Sequence, residues 1–524
     1  MTFISLRRSL WLVAMVTLIL SCSKGLNSPE EFQNETSGKG PDAEVTVEFN
    51  ILNPDSVRAT KAGADEGYAS TVERKINTLH LFAADYDPET GKETIEASVK
   101  VELTSADYTS KGVKAKHTFN LKAGTKRFYA GANMTDAHAS AFVNGKTMTA
   151  GSYESALDMV MHNYQSKTGN GSNILMLSSP ATDGNGTDIN ISMNSTLNLT
   201  AELKRLVSKV MVVAEYTGMK NNADGRTGES INYIENELGF FYDMQFILNN
   251  TNKALNIAEV HNGNETFNAD PNWLMSQMVE KGVNGAIMYR KMWDCASNFS
   301  YWDETGIKER LESTDNWWCS TILSSKNEAG YLGKGLYCLE NTVFDDYCST
   351  AGLSQQEKTE AAYLTTTHVY IKARFSPKKV YGWSGEEVEK TGTQTISDMY
   401  WVTESENGSQ NYTFFRHKAN RGFFTWAGAN KWISNGKATW NDFEPYLGGW
   451  VYFKTFFEGD KGENNGLIYK DNCWGIRRND YCVLTIEKIS DIGTNTAGDA
   501  AIKVKTTTLP WVKRGNSEIT VSPE

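Results

Sequence analysis

Ala43-Glu-Val-Thr-Val-Glu-Phe-Asn-Ile51 alternates apolar and polar residues without a break. Val45, Val47, Phe49 and Ile51 fall on one face, and Thr46, Glu48 and Asn50 on the other, the two-residue period of a half-buried strand. Pro54 ends the pattern. The following Asp55-Ser-Val-Arg58-Ala-Thr-Lys61-Ala-Gly-Ala-Asp-Glu-Gly67 is small, polar and glycine-bearing, which reads as an exposed loop.

Strands of the same kind recur downstream. The pattern predicts them over 76–84, 95–103, 117–121, 126–133, 189–199 and 203–216, and again over 368–375, 451–456 and 481–489. Helix is sparse, with 153–164 the best early candidate. Short strands separated by turns indicate antiparallel sandwiches. Gly218-Met-Lys-Asn-Asn-Ala-Asp-Gly-Arg-Thr-Gly228 is a loop by composition and marks a boundary. A chain of 524 residues is too long for one ordinary core, so two domains are expected, over 59–217 and 218–524.

Upstream, residues 23–42 are polar and suit a flexible tether. Before them, Arg7 and Arg8 precede an apolar run from Leu10 to Leu20, then Ser21-Cys22-Ser23. This is the composition of a secretory signal over 1–21. The run is shorter than the roughly 20 residues that cross a bilayer. Leu18-Ile-Leu-Ser-Cys22 also resembles a bacterial lipobox, which makes Cys22 the acylated first residue of an exported lipoprotein. An ordinary signal peptide with an incidental cysteine is the other reading. Residues 22–58 are then the lipidated tether and first strand.

With 52 basic and 63 acidic residues, the net charge is −11, which argues against a nucleic-acid partner. Six cysteines follow Cys22, all in the second half: Cys295, Cys319, Cys338, Cys348, Cys473 and Cys482. They allow fifteen pairings, and buried free thiols serve equally well. No CxxC, HExxH, GxSxG or Walker loop occurs, and no two of the seven histidines are three or four apart. Asp183-Gly-Asn-Gly-Thr-Asp188 alternates oxygen ligands with glycine, but a plain turn explains it better than calcium. No enzyme activity, metal or cofactor is expected. The second half is aromatic, with Trp273, Trp293, Trp302, Trp317 and Trp318 in one stretch and Trp426, Trp432, Trp440 and Trp450 in another. These rings belong to the core or form an adhesive surface.

Four segments carry a family likeness. They are the alternating strand with Val57-Arg58-Ala-Thr-Lys-Ala62 after it; Leu121-Lys-Ala-Gly124 with Ala130-Gly-Ala-Asn133; Leu203-Lys-Arg-Leu-Val-Ser-Lys-Val-Met-Val-Val213; and Arg477-Arg-Asn-Asp-Tyr-Cys-Val-Leu-Thr-Ile-Glu-Lys-Ile-Ser490 with Gly493 and Trp511. In this order they resemble the type V pilins, the fimbrillin-type lipoprotein subunits of Gram-negative anaerobes. Residues 262–335 and 395–450 have no counterpart.

The resemblance implies a mainly β fold of two transthyretin-like antiparallel β-sandwich domains with few helices. It implies a cell-surface fimbria, or pilus, with a role in cell adhesion. A trypsin-like protease cuts after a basic residue, the first strand leaves, and the next subunit fills the groove. In this sequence Arg58, with Ala59 as the new first residue, fits the cut best; Lys61 and Ala62 come second. The removable strand carries Val45, Val47, Phe49 and Ile51. The donor segment carries Ile502, Val504, Leu509, Trp511, Ile519 and Val521, unless it is the last strand of its own domain. The partners implied are other fimbrial subunits, the protease and the outer membrane through lipid. A stand-alone glycan-binding surface lipoprotein or a tip adhesin, acting on a surface glycan or protein, is the alternative.

Overall fold

The computed structural model describes residues 32–33, 42–54, 72–150, 153–162, 173–221, 228–258, 279–281, 287–289, 299–300, 309, 319–326, 335–344, 367–389, 412–456, 473–476, 478–495 and 503–510. The fold is mainly β, with few helices. The first half supplies β1 (Phe32–Gln33), β2 (Asp42–Leu52), β3 (Leu79–Asp87), β4 (Lys92–Val101), β5 (Tyr108–Thr109), β6 (Gly112–Lys122) and β7 (Gly124–Ala132). Two short helices follow, α1 (Asp136–Val143) and α2 (Tyr153–Val160), then β8 (Met176–Ser178), β9 (Ile189–Ile191) and β10 (Ser195–Arg205).

These strands form one ten-stranded sheet in the order β1-β4-β3-β7-β8-β10-β2-β6-β5, with β9 on β7. The strand expected over 189–199 is two strands, because Asn194 sits at φ 58° between them. The helix expected over 153–164 stops at Val160. Helix α1 was not expected. Thr135 caps it, its hydroxyl accepting from the His138 N–H at 3.3 Å, and Phe142 packs edge-on against Phe82 with centroids 4.7 Å apart.

The second half is built on β11 (Val207–Ala214), β12 (Gly239–Asn249), β13 (Leu336–Leu339), β14 (His368–Pro377), β15 (Trp450–Phe456), β16 (Asp480–Lys488) and β17 (Lys503–Pro510). One sheet runs from residues 323–324 through β11 and β16 to β17, with β13 also on β11. The facing sheet contains β12, β14 and β15. Val210, Val212, Ala214, Phe246, Ile371, Phe453, Leu484 and Ile486 share the core between them. Most ladders are antiparallel, but β2 runs parallel to β10 and β11 runs parallel to β16.

β11 explains an oddity of the sequence. Val207-Ser-Lys-Val-Met-Val-Val-Ala214 does not alternate, and all eight of its residues are buried. Val210, Val212 and Ala214 face the second core, whereas Val207, Met211 and Val213 join the core of the first sheet. A strand covered on both faces reads as a continuous apolar run. β10 belongs to the first sheet and β11 to the second, so the chain changes sheets at Leu206, ahead of the division expected at 217–218.

An appended five-stranded sheet uses residues 387–389, 379–381, 423–424, 414–417 and 443–446 in that spatial order, with helix α3 (Trp426–Ser434) after the third of these. Tyr381, Phe424, Trp432 and Phe443 pack within it. Among the described residues no helix is long and apolar enough to cross a membrane.

Candidate strand-exchange site

β2 lies inside its sheet rather than at an edge. It pairs antiparallel with β6 from Asp42↔Lys122 to Leu52↔Gly112, and parallel with β10 from Ser195↔Val45 to Glu202↔Leu52. The alternating pattern sets which way each side chain faces. Ala43, Val45, Val47, Phe49 and Ile51 are buried, with Phe49 edge-on to Phe128 at 6.3 Å. Burying Val45, Val47, Phe49 and Ile51 contributes about 1.5–3 kcal/mol each. The polar face meets β6: the Thr46 and Thr118 hydroxyls are 2.9 Å apart, Lys116 reaches Glu48 at 2.6 Å, and Lys122 reaches Asp42 at 2.5 Å.

Those two ion pairs are exposed and worth little. The Lys116 hydrogen bond holds the Glu48 carboxyl below its usual range, and Asp42 pushes the Lys122 ammonium up. The end of β2 is more tightly specified. A Cβ on Gly112 would lie 2.0 Å from the Ile51 carbonyl oxygen, so only glycine lets β6 approach there. The Asn53 N–H then donates to the Lys111 carbonyl at 2.9 Å, and Pro54 is buried.

Arg58, Ala59, Lys61 and Ala62 lie outside the described residues, as does Cys22. The described chain resumes at a 3-10 turn, Val72–Arg74. Its Glu73 is buried, and its carboxylate accepts from Lys209 Nζ at 2.7 Å and from the Tyr337 hydroxyl. The Glu73 carbonyl accepts from Arg205 Nε at 2.9 Å. Burial pushes the Lys209 ammonium down, against the pull of Glu73. Glu73, Arg205, Lys209 and Tyr337 were not singled out from the sequence. The available signal was Arg205 and Lys209 standing in a run otherwise apolar enough to be core, where a cation needs a partner.

At the other end of the chain, β17 pairs antiparallel with β16, from Asp480↔Pro510 and Tyr481↔Leu509 to Ile486↔Val504 and Lys488↔Lys503. Among the described residues it is the outermost strand of its sheet. Val504 and Leu509 therefore stand in a strand laid on this chain's own second half, whereas Ile502, Trp511, Ile519 and Val521 lie outside the described residues. The structure thus brings the four β2 residues together in the core of the first sheet and keeps β17 apart, on the second sheet.

The Asp183 carboxylate accepts from the backbone N–H groups of Asn185 at 2.8 Å and Gly186 at 3.1 Å, which hold it below its usual range. Asp188 pairs with Arg127 at 2.6 Å. This is a closed turn, and among the described residues no group of His, Cys, Asp and Glu side chains is placed to hold a metal. Cys338 and Cys482 are buried on the two strands flanking β11. Trp383, Trp426 and Trp440 of the appended sheet are 72%, 40% and 43% exposed.

No family model and no curated protein matches the sequence. Among solved structures the chain is similar to a proposed cell adhesion protein from Parabacteroides distasonis, at 12% identity over 90% of this chain and 100% of that one, TM-score 0.39. A fimbrilin from Porphyromonas gingivalis is 14% identical over 90% and 99%, TM-score 0.39. A C-terminally truncated tip fimbrial protein from the same organism is 12% identical over 90% and 100%, TM-score 0.31. With every one of these TM-scores below 0.5, the function of this chain has to be read from its own residues.

Proposed function

We propose that this chain is a structural subunit of a cell-surface fimbria, exported as a lipoprotein through Cys22 and assembled by strand exchange after proteolysis. One observation carries the reading. β2, the strand just before Arg58 and Lys61 in the sequence, sits between β6 and β10 with its apolar face fully buried, so its loss opens a groove flanked by two strands whose edges toward it are unpaired. Unpaired strand edges recruit a strand from another chain, gaining main-chain hydrogen bonds along its length and specificity from alternate side chains. The segment from Ile502 to Val521 of a second copy supplies alternating apolar residues for it. Because donor and groove lie at different places on the molecule, the contact is head-to-tail and generates a filament.

The protease is trypsin-like, cutting after Arg58, or after Lys61 as second choice, and the mature domains run over 59–217 and 218–524. The partners are further subunits and the outer membrane. The test is to treat purified precursor with trypsin, sequence the new N-terminus and image the product. Ala59 or Ala62 as the first residue, with filaments, is the expected result. Another first residue, or a cleanly cut monomer, overturns the corresponding half of the reading.

The exposed indoles of Trp383, Trp426 and Trp440 favour a second reading, a surface lipoprotein or tip adhesin that grips a glycan on aromatic faces. In that case glycan-array binding disappears in Trp383→Ala and Trp426→Ala variants and survives deletion of 503–524.

A further inference from the structure

We infer that Glu73 is a positioning residue that holds the crossover between the two sheets when β2 departs; this rests on the strand-exchange reading above. β10 is paired with β2 over 195–202, and three residues later the same chain passes through Leu206 and becomes β11, the centre of the second sheet. Losing β2 therefore strips a ladder from the strand that leads directly into the other core. Arg205 and Lys209, on either side of that crossover, are both fully buried cations.

Glu73 answers both of them. Its carboxylate takes the Lys209 ammonium at 2.7 Å and its carbonyl takes Arg205 Nε at 2.9 Å. Tyr337 on β13 donates to the same carboxylate, and the Lys209 ammonium stands 5.0 Å from the Tyr481 ring on β16. The crossover is further fixed by Asn479, whose N–H donates to the Val207 carbonyl at 2.9 Å and whose side-chain oxygen accepts from the Arg205 N–H at 3.2 Å.

The position of Glu73 along the chain gives this clamp its meaning. It lies downstream of Arg58 and Lys61, so either cut leaves it on the mature chain. The residues after it are pinned independently: Asn133 Nδ2 donates to the Lys75 carbonyl at 2.8 Å, and Asn133 Oδ1 accepts from the Asn77 N–H at 2.8 Å. Fraying that starts at the cut thus stops at Glu73. While β2 is in place, β10 is held by its ladder and the clamp is partly redundant. Once β2 has gone, the clamp keeps the buried Lys209 ammonium on the Glu73 carboxylate and Arg205 Nε on the Glu73 carbonyl.

The experiment compares wild type and Glu73→Gln by hydrogen exchange of segment 203–211, before trypsin cutting and after cutting with loss of 42–52. The expected result is near-equal exchange in the uncut pair and at least ~tenfold faster exchange in cut Glu73→Gln, the size of a coupling between neighbouring groups. Equal acceleration in both forms, or none in either, overturns the inference, because a residue that merely stabilises the fold acts alike in both. If Glu73→Gln does not fold, Tyr337→Phe removes one donor to the same carboxylate and should give a smaller shift with the same selectivity. A wild-type chain that is not cut within 55–71, or keeps 42–52 after cutting, overturns both this inference and the fibre reading. Cut protein that loses 42–52 but forms no filament counts against the fibre reading alone.

Discussion

The leading strand β2 and the trailing strand β17 are opposites in how they are held. β2 has eleven residues, two strand neighbours and a fully buried apolar face. β17 has eight residues and, among the described residues, one neighbour, β16, at the margin of its sheet. A strand paired on both sides exchanges slowly on its own, whereas an edge strand opens locally at small cost. The difference teaches that the two events of the proposed swap need different triggers: peptide-bond cleavage for β2, and ordinary fraying for β17.

Phe49→Ala breaks the comparison most severely. It empties a buried aromatic site against Phe128, and the precursor should lose about 3–5 kcal/mol, read as a lower midpoint in urea unfolding. Gly112→Ala should act on the same strand from outside it. The added Cβ meets the Ile51 carbonyl at 2.0 Å, and the end of β2 must shift, at a cost of about 2–3 kcal/mol in the same assay. Both substitutions should leave exchange over 503–510 unchanged.

How far this contrast was legible in the sequence depends on the strand. β2 was readable residue by residue, because one face is buried and the other wet, and period-2 alternation records that. β3, β4, β7, β14 and β16 were readable to within three residues at their ends, although β3, β7, β14 and β16 are buried along most of their length and were marked by apolar and β-branched content rather than alternation; β6 was read only over 117–121, part of Gly112–Lys122. β11 was readable as a strand but not as the centre of the second sheet, since burial on both faces erases the alternation that would orient it. The parallel pairing of β2 with β10 left no local trace, because direction is set by the path of the chain between them. Glu73 was not legible either. A single glutamate after a polar loop looks solvated, and only the fold brings Lys209 and Tyr337 to it. The appended sheet with α3 was hidden by its short strands, although its tryptophans marked the region.

A direct comparison of the two strands sharpens the account. In uncut precursor the amides of 503–510 should exchange at least ~tenfold faster than those of 42–52. Equal protection would mean that the trailing strand is held as firmly as the leading one.

The smallest expected effect is on the polar face of β2. The Glu48 carboxyl is held below its usual range by Lys116, so its contribution is present above about pH 4.5 and is lost as pH falls through the lower folded value. Because the pair is exposed, acidification should weaken β2 only slightly. In Glu48→Gln that part of the pH dependence should vanish from the unfolding midpoint.

The claim at the centre is that a neighbour's tail occupies the place of β2, and hydrogen exchange on three samples tests it: uncut precursor, cut monomer and assembled material. The account predicts that β6 and β10 lose protection on cutting and regain it on assembly, and that the regain fails in a chain lacking 503–524. Protection that returns to β16 alone, with β6 and β10 still open, would contradict it.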